Sequence, residues 1–180
     1  MILVVDMNYK KDSLGYNEFV LPIVSVVETL EHVEVKHYLK VGSQDLSKYD
    51  KIILSGTALK DNVTLEQPER FQWVTQTEKR IMGICAGMQT IGVVFNLSLT
   101  KCIEIGMANV TTTKENPLFS STFKAYSLHN YSVSISEKFE PLAESATCLQ
   151  AFKHKQKEIY GVLFHPEVRN PEILKRFIKL

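Results

Sequence analysis

Apolar residues in the first half of the chain come in short blocks, with longer stretches of helical period between them. Residues 2–6, ILVVD, are rich in β-branched side chains and predict a strand. Phe19, Ile23, Val26, Val27 and Leu30 then recur at helical spacing, and Pro22 fits that helix only in its first turn. Residues 33–39, VEVKHYL, alternate as a strand does. Residues 51–55, KIILS, and 80–84, RIMGI, are largely apolar runs of the kind that form parallel strands buried on both faces. Between them, QPERFQWVTQTEK at 67–79 reads as one helix with Pro68 near its start. Strands alternating with helices predict a three-layer α/β fold, a mostly parallel sheet with helices on both faces.

After residue 100 the pattern changes. CIEI, MANVTTT, FKAYSL, SVSI, CLQAFKH and EIYGVLF are short strand patterns joined by turns, which predicts a partly antiparallel C-terminal extension. The last segment, NPEILKRFIKL, reads as a helix opened by Pro171, with Ile173, Leu174, Phe177 and Ile178 on its apolar face. No repeat, low-complexity tract or linker interrupts the chain, and its 180 residues suit a single domain over 1–180.

Composition narrows this picture by exclusion. With 44% hydrophobic and 23% charged residues the balance is that of an ordinary globular protein. A formal net charge of +1 offers no field for nucleic acid or an anionic membrane. No apolar run approaches the roughly 20 residues of a membrane span, and the opening MILVVDMNYKK charges too early for a signal peptide. Three cysteines, none in a C-x-x-C pair, argue against a disulfide framework and for a reducing, cytoplasmic setting. No spacing suggests a metal site or a cofactor.

The candidate chemistry begins at residues 83–87, G-I-C-A-G, which follow an apolar strand and precede Met88, Ile91, Gly92 and Phe95 at helical spacing. This is the pattern of a nucleophile elbow with cysteine in the serine position. A sharp strand-to-helix turn strains the central residue, and glycines on either side admit backbone where a Cβ would clash. Cys85 would then sit at a helix N-terminus, whose dipole and free N–H groups favour an anion, with the Ala86 N–H placed to donate to an oxyanion. A lone cysteine is more often a small buried hydrophobe; the strand–glycine–cysteine–glycine–helix context brings the two readings level. Cys102 and Cys148 lack that context and read as core.

A thiolate nucleophile needs a base in the same site. His32, His37 and His154 lie beside charged residues in ordinary amphipathic stretches, and His129, in YSLHNYSV, is undecided. His165, 80 positions after Cys85, directly follows a strand pattern. Pro166 stiffens the turn after it, and Glu167 is placed to accept from the imidazole and hold its tautomer.

With these residues in place the chain resembles the class I glutamine amidotransferases of the triad type. Four blocks match in order over nearly the whole length: ILVVDMNYKKDSLGYNEF, IILSGTALKD, GICAGMQTIG and GVLFHPEV. LHNYSV is similar to the family's S-H-x-x-x-V segment, and ENPLF and FEPLAES sit where comparable phrases fall in its GMP-synthetase branch. The resemblance implies a flavodoxin-like α/β fold, with Cys85 as nucleophile on the side-chain amide of glutamine, His165 as proton shuttle and Glu167 as its orienting partner. It also implies an oxyanion hole from the Thr57 and Ala86 N–H groups and substrate contacts from Gly56, Gln89 and the backbone at Asn130 and Tyr131. No cofactor is implied. Released ammonia would pass to a separate synthetase subunit, the first candidate being an ATP-dependent GMP synthetase; nothing in 180 residues leaves room for a fused one. A stand-alone γ-glutamyl hydrolase, an amidotransferase of the anthranilate or imidazole-glycerol-phosphate type, and a non-catalytic regulator are the alternatives, and the intact Cys85, His165 and Glu167 argue against the last. Two positions depart from the pattern. Gly56-Thr57-Ala58 replaces the usual Gly-Gly-Pro, and a β-branched Thr57 is ill suited if that position needs φ > 0, so either the oxyanion hole would form only after the loop rearranges or the substrate would differ. Leu128 and Tyr131 replace polar residues around His129.

Overall fold

The computed structural model describes residues 1–180, the side chain of Asp45 excepted. Nine strands, β1 (Ile2–Asp6), β2 (Val33–His37), β3 (Lys51–Leu54), β4 (Arg80–Ile84), β5 (Leu99–Thr112), β6 (Thr122–Val133), β7 (Phe139–Glu144), β8 (Leu149–His154) and β9 (Ile159–Val162), form one sheet. Its order is β2-β1-β3-β4-β9-β8-β7-β5-β6. Pairings from β2 through to β9 are parallel, and those from β9 out to β6 are antiparallel. The helices are α1 (Leu21–Val27), α2 (Val63–Glu66), α3 (Trp73–Gln76), α4 (Ala86–Val94), α5 (Pro166–Arg169) and α6 (Pro171–Lys179).

The unbroken apolar strands are buried on both faces because alternate residues serve two cores. Ile2, Val4 and Ile53 pack with Ile23, Val27, Leu174 and Phe177 of α1 and α6. Leu3, Val5, Ile52 and Leu54 pack with Met88 and Ile91 of α4 and with Phe71 and Trp73. This is the three-layer arrangement that a parallel sheet requires. In α6 the expected face, Ile173, Leu174, Phe177 and Ile178, is buried.

Three elements differ from the periodicity. The first helix opens with a π-helical turn, Tyr16–Val20, in which the Leu21 N–H bonds the carbonyl of Tyr16. Pro22 has no N–H to return to residue 18 and its ring would crowd that carbonyl, so the wider turn accommodates it. The buried set becomes Phe19, Val20, Ile23, Val24 and Val27, and Leu30 is exposed. The expected helix at 67–79 is instead a 3₁₀ turn, Pro68–Phe71, followed by α3, with α2 lying before them. Gln67, at φ −127° and ψ 54°, stands before a proline and cannot continue α2. Strand β7 carries Pro141, which hid it from sequence reading; the proline sits at a register irregularity, where a missing N–H does little harm.

The cysteine expectation needs correcting. Cys102 and Cys148 are not separate core residues but lie in a disulfide, with Cα atoms 6.5 Å apart across 46 positions. The turn between β7 and β8 folds back onto a bulge in β5 between Lys101 and Glu104, a long-range meeting that spacing alone does not announce.

Candidate active site

β4 ends at Ile84 and α4 begins at Ala86, so Cys85 alone makes the strand-to-helix turn. Its φ of 49° and ψ of −106° are strained for a residue with a side chain. The strain is held in place by backbone packing. A Cβ on Gly83 would come within 2.5 Å of the Gly87 carbonyl carbon, and one on Gly87 within 2.5 Å of the Leu54 carbonyl oxygen. The backbones of β3, β4 and α4 therefore meet more closely than side chains permit. Cys85 is nearly buried, and its Sγ donates to the Leu128 carbonyl of β6 at 3.4 Å.

β9 lies beside β4 and parallel to it, so their C-terminal ends emerge together. His165 follows β9 by a short turn, and its N–H is fixed on the Tyr126 carbonyl at 2.8 Å. His165 Nδ1 lies 2.7 Å from Glu167 Oε1, both side chains fully enclosed. A carboxylate only accepts, so Nδ1 carries the hydrogen; Nε2 is buried without a hydrogen-bond partner among the described residues. Phe19, brought round by the π-helical turn, covers the ring with centroids 5.6 Å apart. Burial pushes the His165 pKa down, but the Glu167 carboxylate and the Cys85 sulfur outweigh it and hold the pKa well above the ordinary 6.5. Gly56 closes the group: a Cβ there would lie 2.7 Å from His165 Cε1 and 3.5 Å from Cys85 Cβ.

A cavity of about 20 Å³ opens beside Cys85, walled by the loop after β3 (Thr57 to Asn62), by Ala86 and Gln89 of α4, and by Leu128 to Tyr131 of β6. That is room for about one water. Two hydrogen bonds draw its walls together: Asn130 Nδ2 donates to the Leu59 carbonyl at 3.2 Å, and Gln89 Nε2 to the Tyr131 carbonyl at 2.7 Å. The Thr57 and Ala86 N–H groups have no protein acceptor among the described residues. A thiol and two free N–H groups at one cavity, with an oriented imidazole and its buried carboxylate behind the thiol, are the parts of covalent acyl-transfer chemistry.

The family model for glutamine amidotransferase class-I matches residues 16–179. The chain belongs to the class I glutamine amidotransferases. It is 32% identical over 179 residues to the glutamine-hydrolysing GMP synthase subunit of Methanocaldococcus jannaschii, covering 93% of this chain and 86% of that one. The subunit of the same name from Methanosphaera stadtmanae is 30% identical over 168 residues, covering 86% and 90%. Among solved structures, a putative GMP synthase subunit from Thermoplasma acidophilum superposes with a TM-score of 0.86 at 27% identity, over 99% of this chain and 92% of that one. A glutamine amidotransferase from Thermotoga maritima shares the fold, with a TM-score of 0.71 at 19% identity over 99% and 80%.

In this amidotransferase six of the nine residues singled out from the sequence, Thr57, Cys85, Ala86, Gln89, Asn130 and Tyr131, line the cavity, while Gly56 lies between His165 and Cys85, and Glu167 lies against His165. Thr57 does not adopt a positive φ. It takes a conformation open to β-branched residues and anchors the loop by donating from Oγ1 to the Asp61 carbonyl at 3.0 Å. Three contributors escaped sequence reading. They are the Leu128 carbonyl on Cys85, the Tyr126 carbonyl behind His165 and the Phe19 ring over it. The first two act through backbone atoms, which carry no residue signature, and Phe19 is legible only as a core position.

Proposed function

We propose that residues 1–180 form one amidotransferase domain that hydrolyses the side-chain amide of glutamine and delivers the ammonia to a separate synthetase subunit, of the GMP-synthetase type. The observation that carries this reading is the buried Cys85–His165–Glu167 set at the ends of β4 and β9, in a chain whose relatives are named as glutamine-hydrolysing GMP synthase subunits. His165 Nε2 takes the thiol proton, and Cys85 Sγ attacks the amide carbon. The Thr57 and Ala86 N–H groups donate to the resulting oxyanion. His165 returns the proton to the departing ammonia, leaving a thioester, which water then cleaves with His165 as base. Glu167 holds Nδ1–H throughout and stabilises the imidazolium.

The cavity is narrow, and a swing of the loop after β3 away from β6 would widen it for glutamine. The Asn130–Leu59 hydrogen bond, which ties the loop to β6, opposes that motion and contributes about 0.5–1.5 kcal/mol. A synthetase that binds the open loop better would raise activity by shifting its population. Ile103, Ile105 and Met107 form an exposed apolar row on β5, and two of them stand opposite Leu128 and Tyr126, which offers such a partner a surface beside the cavity mouth. A cytoplasmic setting fits this role.

The test is kcat/KM for glutamine with the chain alone, then with an ATP-dependent GMP synthetase partner, ATP and XMP. Low activity alone and a rise of tenfold or more in the assembly are expected. Thr57→Gly, which loosens the loop, should raise the unpartnered rate. Full activity in the isolated wild-type chain, unchanged by the synthetase, would refute the coupling and leave a stand-alone γ-glutamyl hydrolase.

A further inference from the structure

Behind the β6 wall of the cavity lies a second cluster of reactive side chains. Cys102 and Glu104 come from the bulge of β5, His129 from β6 opposite Glu104, and Cys148 from the turn before β8. The sulfurs of Cys102 and Cys148 and a ring nitrogen of His129 lie within 4.8 Å of one another. His129 Nδ1 is 3.1 Å from the Cys102 carbonyl, which only accepts, so Nδ1 carries the hydrogen. Nε2 is completely enclosed and makes no hydrogen bond, yet it sits 3.3 Å from Glu104 Oε2. A buried imidazole lone pair facing a carboxylate oxygen is an unfavourable pairing that a cation between them relieves. An imidazole whose other N–H is tied to a backbone carbonyl is also the usual posture of a metal ligand.

The carboxylate is aimed in the same way. Gln150 Nε2 donates to Glu104 Oε2 at 2.6 Å, Ser145 Oγ to Oε1 at 2.8 Å, and Thr147 Oγ1 also to Oε1. Gln150 Nε2 reaches the Cys148 sulfur as well, at 3.5 Å. Gln150 Nε2 thus stands between these two anionic donors and holds both in place.

We propose that the reduced chain binds one Zn²⁺ through Cys102, Cys148, His129 and Glu104. Two thiolates and an imidazole select a borderline-soft ion over calcium or magnesium. Reduction of the disulfide by a dithiol, itself oxidised to a disulfide, supplies two electrons and two protons to give two thiols, and zinc displaces those protons on binding. At Zn–S distances of about 2.3 Å in a tetrahedron the sulfurs stand roughly 3.8 Å apart, which rotation about their Cα–Cβ bonds supplies. With four protein ligands the site is closed and structural. It would tie β5, β6 and the turn before β8 together directly behind Leu128 to Tyr131, the wall that faces Cys85.

The full chain carrying Cys85→Ala, which removes the third thiol, is treated with a phosphine, checked for two free thiols by titration, and desalted without oxygen. Titration with Co²⁺ should give one ion per chain with tetrahedral visible bands and thiolate charge-transfer absorption, and one equivalent of Zn²⁺ should displace it. The disulfide form should give no charge-transfer signal, and Cys148→Ser, with one thiolate left, should lose half of it or more. Gln150→Leu, which changes no ligand, should weaken Zn²⁺ affinity by about 10- to 100-fold. Circular dichroism checks that each variant is folded. A disulfide that resists excess phosphine, a reduced and folded chain that takes up no Co²⁺, or an unchanged thiolate band in Cys148→Ser would each overturn the proposal.

Discussion

Glu167→Gln isolates the contribution of charge at the site. Oε1 keeps its place as acceptor for His165 Nδ1–H, and the new amide nitrogen falls where Oε2 has no partner, so the ring keeps its orientation. What disappears is the negative charge. Opposite charges with centres about 4 Å apart attract by about 4 kcal/mol at an effective dielectric near 20. The His165 pKa should therefore fall, since burial then acts against the Cys85 sulfur alone. The same loss of imidazolium stabilisation should lower kcat by about 10²–10³-fold, the retained neutral hydrogen bond keeping the loss below that of His165→Ala. The pKa is read from the His165 ring resonances and kcat from ammonia release. Stability follows with a definite sign. A folded-state pKa above the ordinary 6.5 contributes stability that is complete below about pH 6.5 and is lost as pH rises through the folded value. The Tm deficit of Glu167→Gln should therefore be largest near pH 6 and shrink toward alkaline pH. A variant with kcat within threefold of wild type and an unmoved His165 titration would refute the electrostatic role of Glu167.

Two further outcomes are expected. An electrophilic glutamine analogue should label Cys85 and spare Cys102 and Cys148, as mapped on peptides from the reduced protein; label on either of the others would remove Cys85 as nucleophile. Phe177→Ala empties a fully buried position between α6 and the sheet, where it faces Tyr160, and should cost about 3–5 kcal/mol in denaturant unfolding, with a loss under 1 kcal/mol contradicting the packing argument.

Features decided within a few residues of one another were legible in the sequence. The apolar runs of β1, β3 and β4 declare burial on both faces, and the spacing of Ile173, Leu174, Phe177 and Ile178 declares the inner side of α6. The cysteine turn is legible because five consecutive residues set it: two glycines where backbones touch, and a strained Cys85 between strand and helix. His165 and Glu167 are two positions apart, so their pairing is local as well. Where the backbone departs from regular periodicity, the sequence misleads. Pro22 widens a helical turn and changes its buried face, and Pro141 disguises a strand that tolerates it at an irregular position. Tertiary structure alone decided which local features meet. Cys85 and His165 come together because β4 and β9 are parallel neighbours, an adjacency set by the order of the sheet. The closing of the cavity rests on the side chains of Asn130 and Gln89 reaching carbonyls on other segments, Leu59 and Tyr131. The second cluster joins Cys102, Glu104, His129 and Cys148 only because the turn before β8 folds onto a bulge in β5. Periodicity records which side of an element faces the interior. Register between distant elements comes from packing summed over the whole sheet, and it leaves no mark on any short stretch of chain.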